Sequence, residues 1–206
     1  MIQQLPFVLH LTVAEHKHLI SKKPWNGKQW TDEDIEDIKT KIKGQLVASQ
    51  NCCAYCGLPF KGSKDKQIEH IAPKAKSRQP QFTFTLLNLV LSCVYCNTLI
   101  VKGTKPTVAL PANRSYKKCN FLIVHPYFDN PDIHFEWTDA GDKILVQVRN
   151  NSDKGRESIK MFDLDSEGMS EMRAAISNIA KMKIAKPISA ADEILVEGAL
   201  DNTNKL

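Results

Sequence analysis

Three pieces of one stretch decide the reading of this chain: Cys53-Ala54-Tyr55-Cys56-Gly57, then Ile68-Glu69-His70-Ile71-Ala72-Pro73-Lys74, then Asn88-Leu89-Val90-Leu91-Ser92-Cys93-Val94-Tyr95-Cys96-Asn97. Two Cys-x-x-Cys pairs bracket an acid–histidine pair. A Cys-x-x-Cys turn lets two thiolates reach one ion, and Gly57 supplies the backbone freedom such a turn needs. Four thiolates form a closed tetrahedral shell, which suits structural zinc and leaves no open position for a substrate. Cys53, Cys56, Cys93 and Cys96 are therefore expected to hold a structural zinc ion. Cys52 and Cys119 remain as reduced thiols. The competing reading of the cysteines is a redox-active pair.

The long insert between the two pairs must fold on its own. Gln67-Ile68-Glu69-His70-Ile71 alternates as a short strand does and stops at Pro73. Neighbours on a strand face opposite ways, so Glu69 and His70 meet in one cleft only if the chain bends or bulges there. Leu86 to Ser92 is apolar and places Asn88 at a strand or loop edge. A helix is expected from about Val94 to Gly103.

The 206 residues allow one domain, or one domain with an appended lobe. No run approaches the roughly 18–20 apolar residues of a membrane span. The start, Met1-Ile2-Gln3-Gln4-Leu5-Pro6-Phe7, lacks the charged head and long apolar core of a signal peptide, which implies a cytoplasmic chain. The net charge of +5 is modest, but its distribution is not even. Lys61, Lys64, Lys66, Lys74, Lys76 and Arg78 precede Asn88, and Lys102, Lys105, Arg114, Lys117 and Lys118 follow Asn97. Such runs neutralise phosphates and give salt-sensitive binding to nucleic acid.

Elsewhere, Leu5 to Leu11 reads as a strand or a buried helical turn, and Pro24-Trp25-Asn26-Gly27 as a turn with Trp25 and Trp30 as packing residues. Thr31-x-x-Asp34 resembles a cap, so a helix is expected from Thr31, with Ile35, Ile38, Ile42 and Leu46 along one stripe. Phe121 to Val124 reads as a strand, and His125 to Pro131 as a loop. Two strands flank an Asp139-Ala140-Gly141-Asp142 turn. Helices are expected near 155–162, 169–185 and 189–200, the last behind a Ser189-x-x-Asp192 cap. The fold class is α+β, divided as 1–50, 51–105 and 106–206.

The order of Cys53/Cys56, Glu69-His70, Asn88-Leu89 and Cys93/Cys96-Asn97 resembles the HNH (His-Asn-His) nuclease family. The resemblance implies a zinc-stapled ββα-metal core over 51–105, with an N-terminal helical segment and a C-terminal extension of hairpin and helices. It implies that His70 is the general base, that Glu69 and Asn97 ligate a catalytic divalent ion, and that Asn88 fixes the loop orienting His70. Magnesium or manganese suits such oxygen donors. Lys74, Lys76, Arg78 and Lys102 would meet the substrate, although Thr98-Leu99-Ile100-Val101 intervenes before Lys102-Gly103, where the family has Lys-Gly sooner.

A looser likeness joins Glu69-His70-x-x-Pro73-Lys74 and Pro126-Tyr127-Phe128-Asp129-x-Pro131 to HNH proteins of Septu-type and retron-associated anti-phage systems. These are encoded with ATPases, which implies an ATPase partner. His125 and Asp129 are open candidates for the site. Together these readings imply a nuclease cutting DNA. The alternatives are a nuclease for structured RNA, a non-catalytic zinc-stabilised nucleic-acid-binding module, and a thiol–disulfide oxidoreductase.

Overall fold

The computed structural model describes residues 1–185. At its centre is a two-stranded antiparallel hairpin, β1 (Gln67–His70) and β2 (Leu89–Ser92). Gln67 pairs with Ser92, Ile68 with Leu91, Glu69 with Val90 and His70 with Leu89, without a bulge. Cross-strand partners share a face. Ile68, His70, Leu89 and Leu91 therefore look one way, and Gln67, Glu69, Val90 and Ser92 the other.

The first face is covered by the N-terminal segment. Thr12 opens α1 (Val13–Ser21) with a full capping box: its side chain accepts from the Glu15 amide, and the Glu15 carboxylate accepts from the Thr12 amide. The α2 helix (Glu36–Ser49) carries the expected stripe, with Ile35, Ile38, Ile42 and Leu46 packed on Phe84, Leu89 and Leu91. Gln50 then joins α2 to the hairpin edge, its side chain donating to the Leu91 carbonyl and accepting from the Leu91 amide.

The second face belongs to a larger core that takes in the first cysteine turn, the segment 101–127 and the C-terminal elements. There a one-turn helix α3 (Pro131–His134) leads into the antiparallel pair β3 (Phe135–Asp139) and β4 (Ile144–Val148). Helices α4 (Asp153–Phe162) and α5 (Glu167–Ala185) follow. Phe162 of α4 stacks on Tyr55 between the first two cysteines, with ring centroids 4.2 Å apart.

Several expectations are corrected. Thr31 does not start the helix: its hydroxyl donates to the Lys28 carbonyl and closes a preceding 3-10 turn, and a second turn at Glu33–Ile35 delays α2 to Glu36. Leu5 to Leu11 forms neither strand nor helix, and the Leu5 amide bonds the Pro126 carbonyl. Phe121 makes only an isolated bridge to Val108, so 121–124 is not a strand. Residues 94–103 form successive turns and no regular helix. The Thr98 hydroxyl accepts from the Val101 amide, and the Gly103 amide bonds the Thr98 carbonyl; both interrupt helical pairing. The helix expected over 189–200 and its cap lie outside the described residues.

Gly57 takes φ +70, and a Cβ there would sit 2.6 Å from the Ile2 amide nitrogen. Both conformation and space demand glycine. Gly57→Ala should therefore lower stability by at least about 1–2 kcal/mol, the left-handed cost alone, read as a lower midpoint in chemical denaturation.

Candidate active site and metal centre

The hairpin and two turns bring four sulfurs together. The Sγ atoms of Cys53, Cys56, Cys93 and Cys96 all lie within 4.8 Å of one another, and Cys56 and Cys93 are 3.9 Å apart. A tetrahedron with zinc–sulfur bonds of about 2.3 Å has edges near 3.8 Å. Local pairing builds each half: the Gly57 amide closes the first turn on the Cys53 carbonyl, the Asn97 amide closes the second on the Cys93 carbonyl, and the Ala54 amide bonds Leu91 of β2. The crowding pulls the thiols apart in acidity. Hydrogen bonds from Cys53, Cys56 and Cys96 hold Cys93 far below the usual thiol value, while the Cys53 and Cys93 contacts drive Cys56 up, and Cys53, Cys56 and Cys93 drive Cys96 up. Four such sulfurs become thiolates together only around a cation, and their donor chemistry and spacing fit zinc. The cysteines are free of disulfides.

Glu69 and His70 leave the end of β1 on opposite sides. The regular pairing with Val90 and Leu89 supplies no bulge to bring them round. His70 is buried (4% exposed) and edge-packed by Trp30 at 4.6 Å. Its Nε2 lies 3.0 Å from the Thr83 carbonyl. That nitrogen must carry the proton, so Nδ1 presents a lone pair, and no hydrogen bond to it is made among the described residues. Burial holds the imidazole down to about 3, against the opposing pull of Thr83 and with help from Lys74 and Lys102. The ring is thus neutral at physiological pH.

On the other side, Lys102 is completely buried (0% exposed) and ion-paired with Glu69 Oε1; its ammonium also donates to the His70 carbonyl at 2.8 Å. Lys102, expected at the substrate, is here the partner of the acid. Asn97 shares this face, donating from Nδ2 to Gln67 Oε1 at 2.7 Å, with its own Oδ1 unpartnered among the described residues. Glu69 and Asn97 therefore lie on the same side of β1, opposite the His70 ring.

Asn88 is fully engaged inside the core. It accepts from the Ala72 amide (2.6 Å) and the Tyr116 hydroxyl (3.0 Å), and donates to the Ala72 and Phe82 carbonyls (3.0 Å each). It thereby closes the loop that carries Thr83. Lys76 is exposed, and Lys74 and Arg78 are half-buried, with Arg78 Nε donating to the Thr104 carbonyl. His125 is buried away from Glu69 and His70, and Asp129 pairs with Lys154 at 2.7 Å. Sequence reading left Tyr116 and Trp30 without a role at the site; an aromatic residue gives no local signal of the distant polar group it will touch.

Residues 53–101 match the HNH endonuclease family model, so the region holding both cysteine pairs and the hairpin is an HNH domain. The chain is also 26% identical over 200 residues to the Septu protein PtuB of Bacillus mycoides (strain KBAB4), an alignment covering 86% of this chain and 66% of that protein. No described helix is long and apolar enough to cross a membrane.

The purified chain should carry about one zinc ion, and Cys93→Ser should lose both the ion and the folded hairpin region, since structural zinc supplies ~10–16 kcal/mol of apparent folding energy. Metal analysis with circular dichroism checks this; a zinc-free, native-like variant would contradict it. Lys102→Met should leave Glu69 buried without its partner and cost about 3–5 kcal/mol in denaturant titration.

Proposed function

We propose that this chain is a metal-dependent endonuclease that hydrolyses phosphodiester bonds of nucleic acid, DNA in the first instance, and serves as an effector in bacterial anti-phage defence. The observation that carries the reading is the His70 ring: neutral, buried, held at Nε2 and unengaged at Nδ1 inside an HNH domain. A water at Nδ1 gives its proton to that nitrogen as it attacks phosphorus, while the bond from phosphorus to the leaving sugar oxygen breaks and that oxygen takes a proton from solvent. The Thr83 carbonyl keeps the ring from turning and favours the imidazolium that forms. Glu69 and Asn97 would hold the divalent ion, whose charge, when bound, offsets the negative charge growing on the phosphate oxygens.

The His70 and Glu69 side chains diverge at the last two positions of β1, so a sugar–phosphate strand is read as crossing the strand's end, with the imidazole on one side and the oxygens on the other. The exposed Lys61, Lys64, Lys76, Lys105, Arg114, Lys117 and Lys118 supply cations for neighbouring phosphates. The likeness to a Septu protein favours the defence context and an ATPase partner.

A second reading, a zinc-stabilised binding module without catalysis, is favoured by one observation. Glu69 is already paired with Lys102, so its carboxylate must be shared or released before it serves an ion. A cleavage assay separates the two. Plasmid DNA and total RNA are incubated with magnesium or manganese and without metal. Cutting is expected only with metal, and His70→Ala should reduce it by about a hundredfold or more while zinc content and fold persist. Cutting by His70→Ala at the wild-type rate would remove the residue from the reaction, and binding without cutting by the wild type would favour the module.

A further inference from the structure

A chain of hydrogen bonds runs from the C-terminal core to the loop that holds His70, and every proton in it has one allowed place. His125 is fully buried between Phe121 and Phe128, stacked on the latter at 4.0 Å with planes 8° apart. The Tyr127 backbone amide donates to His125 Nδ1 at 3.2 Å, so the proton of the neutral ring sits on Nε2. Nε2 lies 3.0 Å from Tyr116 Oη and donates to it. The Tyr116 hydroxyl must then spend its own proton elsewhere, and Asn88 Oδ1 receives it at 3.0 Å.

With that bond and the Ala72 amide, the Asn88 oxygen is saturated, and its two N–H groups are both committed to the Ala72 and Phe82 carbonyls. Phe82 is the residue before Thr83, whose carbonyl accepts from His70 Nε2. The Tyr116 ring also packs edge-on against Phe82 at 5.0 Å.

We infer that Tyr116 and His125 are positioning residues for His70: acting through Asn88, they hold the 72–83 loop so that the Thr83 carbonyl orients the imidazole. The inference deepens the nuclease reading and rests on it for the catalytic consequence, but the loop-holding is a property of the fold. Polar groups in a sealed core have no water to fall back on, so the loss of one donor loosens the whole run. His125 directly precedes the Pro126-Tyr127-Phe128-Asp129 segment.

Tyr116→Phe removes one oxygen and keeps the ring. In the full-length, zinc-loaded chain, amide hydrogen exchange at Ala72, Phe82 and Thr83 should quicken about tenfold or more, with the β3–β4 amides unchanged. The kcat for cleavage should fall about tenfold with KM unchanged, because orientation of the base acts on the chemical step and not on substrate binding. Unchanged exchange in the loop, or a raised KM with kcat intact, would overturn the inference.

His125→Gln, which keeps a donor near the Nε2 position, should retain protection and kcat, while His125→Leu should lose both; equal behaviour of these two variants would also overturn it. This pair decides the matter if Tyr116→Phe does not fold. If the wild type cuts nothing, the nuclease reading fails by itself, and the exchange measurement still decides whether Tyr116 holds the loop.

Discussion

Convergence of four sulfurs on one point is the constraint from which the rest of the structure follows. Cys53 and Cys56 enter directly from α2 by way of Gln50, and Cys93 and Cys96 leave from the end of β2. A hairpin of four-residue strands, alone in water, is marginal at best. Clamped at one end by the cysteine cluster, and covered on one face by the α2 stripe, it becomes a fixed platform for the side chains beyond it. The geometry of Gly57 belongs to the same constraint. The first cysteine turn closes only through a left-handed residue, and the N-terminal backbone at Met1 and Ile2 lies against it where any side chain would sit.

The hairpin's regularity sets the character of the candidate site. Unbroken pairing sends His70 towards Trp30 and Thr83, and Glu69 towards Lys102 and Asn97. A buried ammonium already neutralises the acid. A buried pair of this kind is expensive to break from either side. Lys102 also donates to the His70 carbonyl, so a single cation ties the acid to the backbone of the neighbouring histidine.

The parts legible in sequence share a physical feature: each is a local pattern with strong geometry. Cysteine spacing marks the sulfur cluster, the 3.6-residue stripe from Ile35 to Leu46 marks α2, and the turn signal at Asp139-Ala140-Gly141-Asp142 marks the β3–β4 hairpin. The parts that were not legible depend on contacts far apart in sequence or on competition between caps. Thr12 and Glu15 form a capping box that passed unread because the short helix behind it has no clear apolar stripe. Thr31 showed a cap-like pattern, but its hydroxyl found a nearer acceptor. Lys102 reads as a substrate-contacting cation, because nothing in the chemistry of lysine announces a partner at Glu69, and only the fold of 94–103 into turns carries its side chain inward.

The distribution of polar groups through the core suggests why the C-terminal elements belong with the hairpin. An apolar core alone would hold 121–127 against the hairpin without dictating the path of the 72–83 loop, because apolar packing is non-directional. Hydrogen bonds are directional, and a fully satisfied buried network admits few alternatives. The Tyr127 hydroxyl donates to the Leu89 carbonyl at 2.6 Å, two residues from the Tyr116 network's link to His125 and opposite His70 in the β1–β2 pairing. The C-terminal segment thus meets both walls around His70: the strand beside it and the loop across from it. Both walls are thus bonded to residues beyond 101, through Tyr116 to Asn88 and through Tyr127 to Leu89.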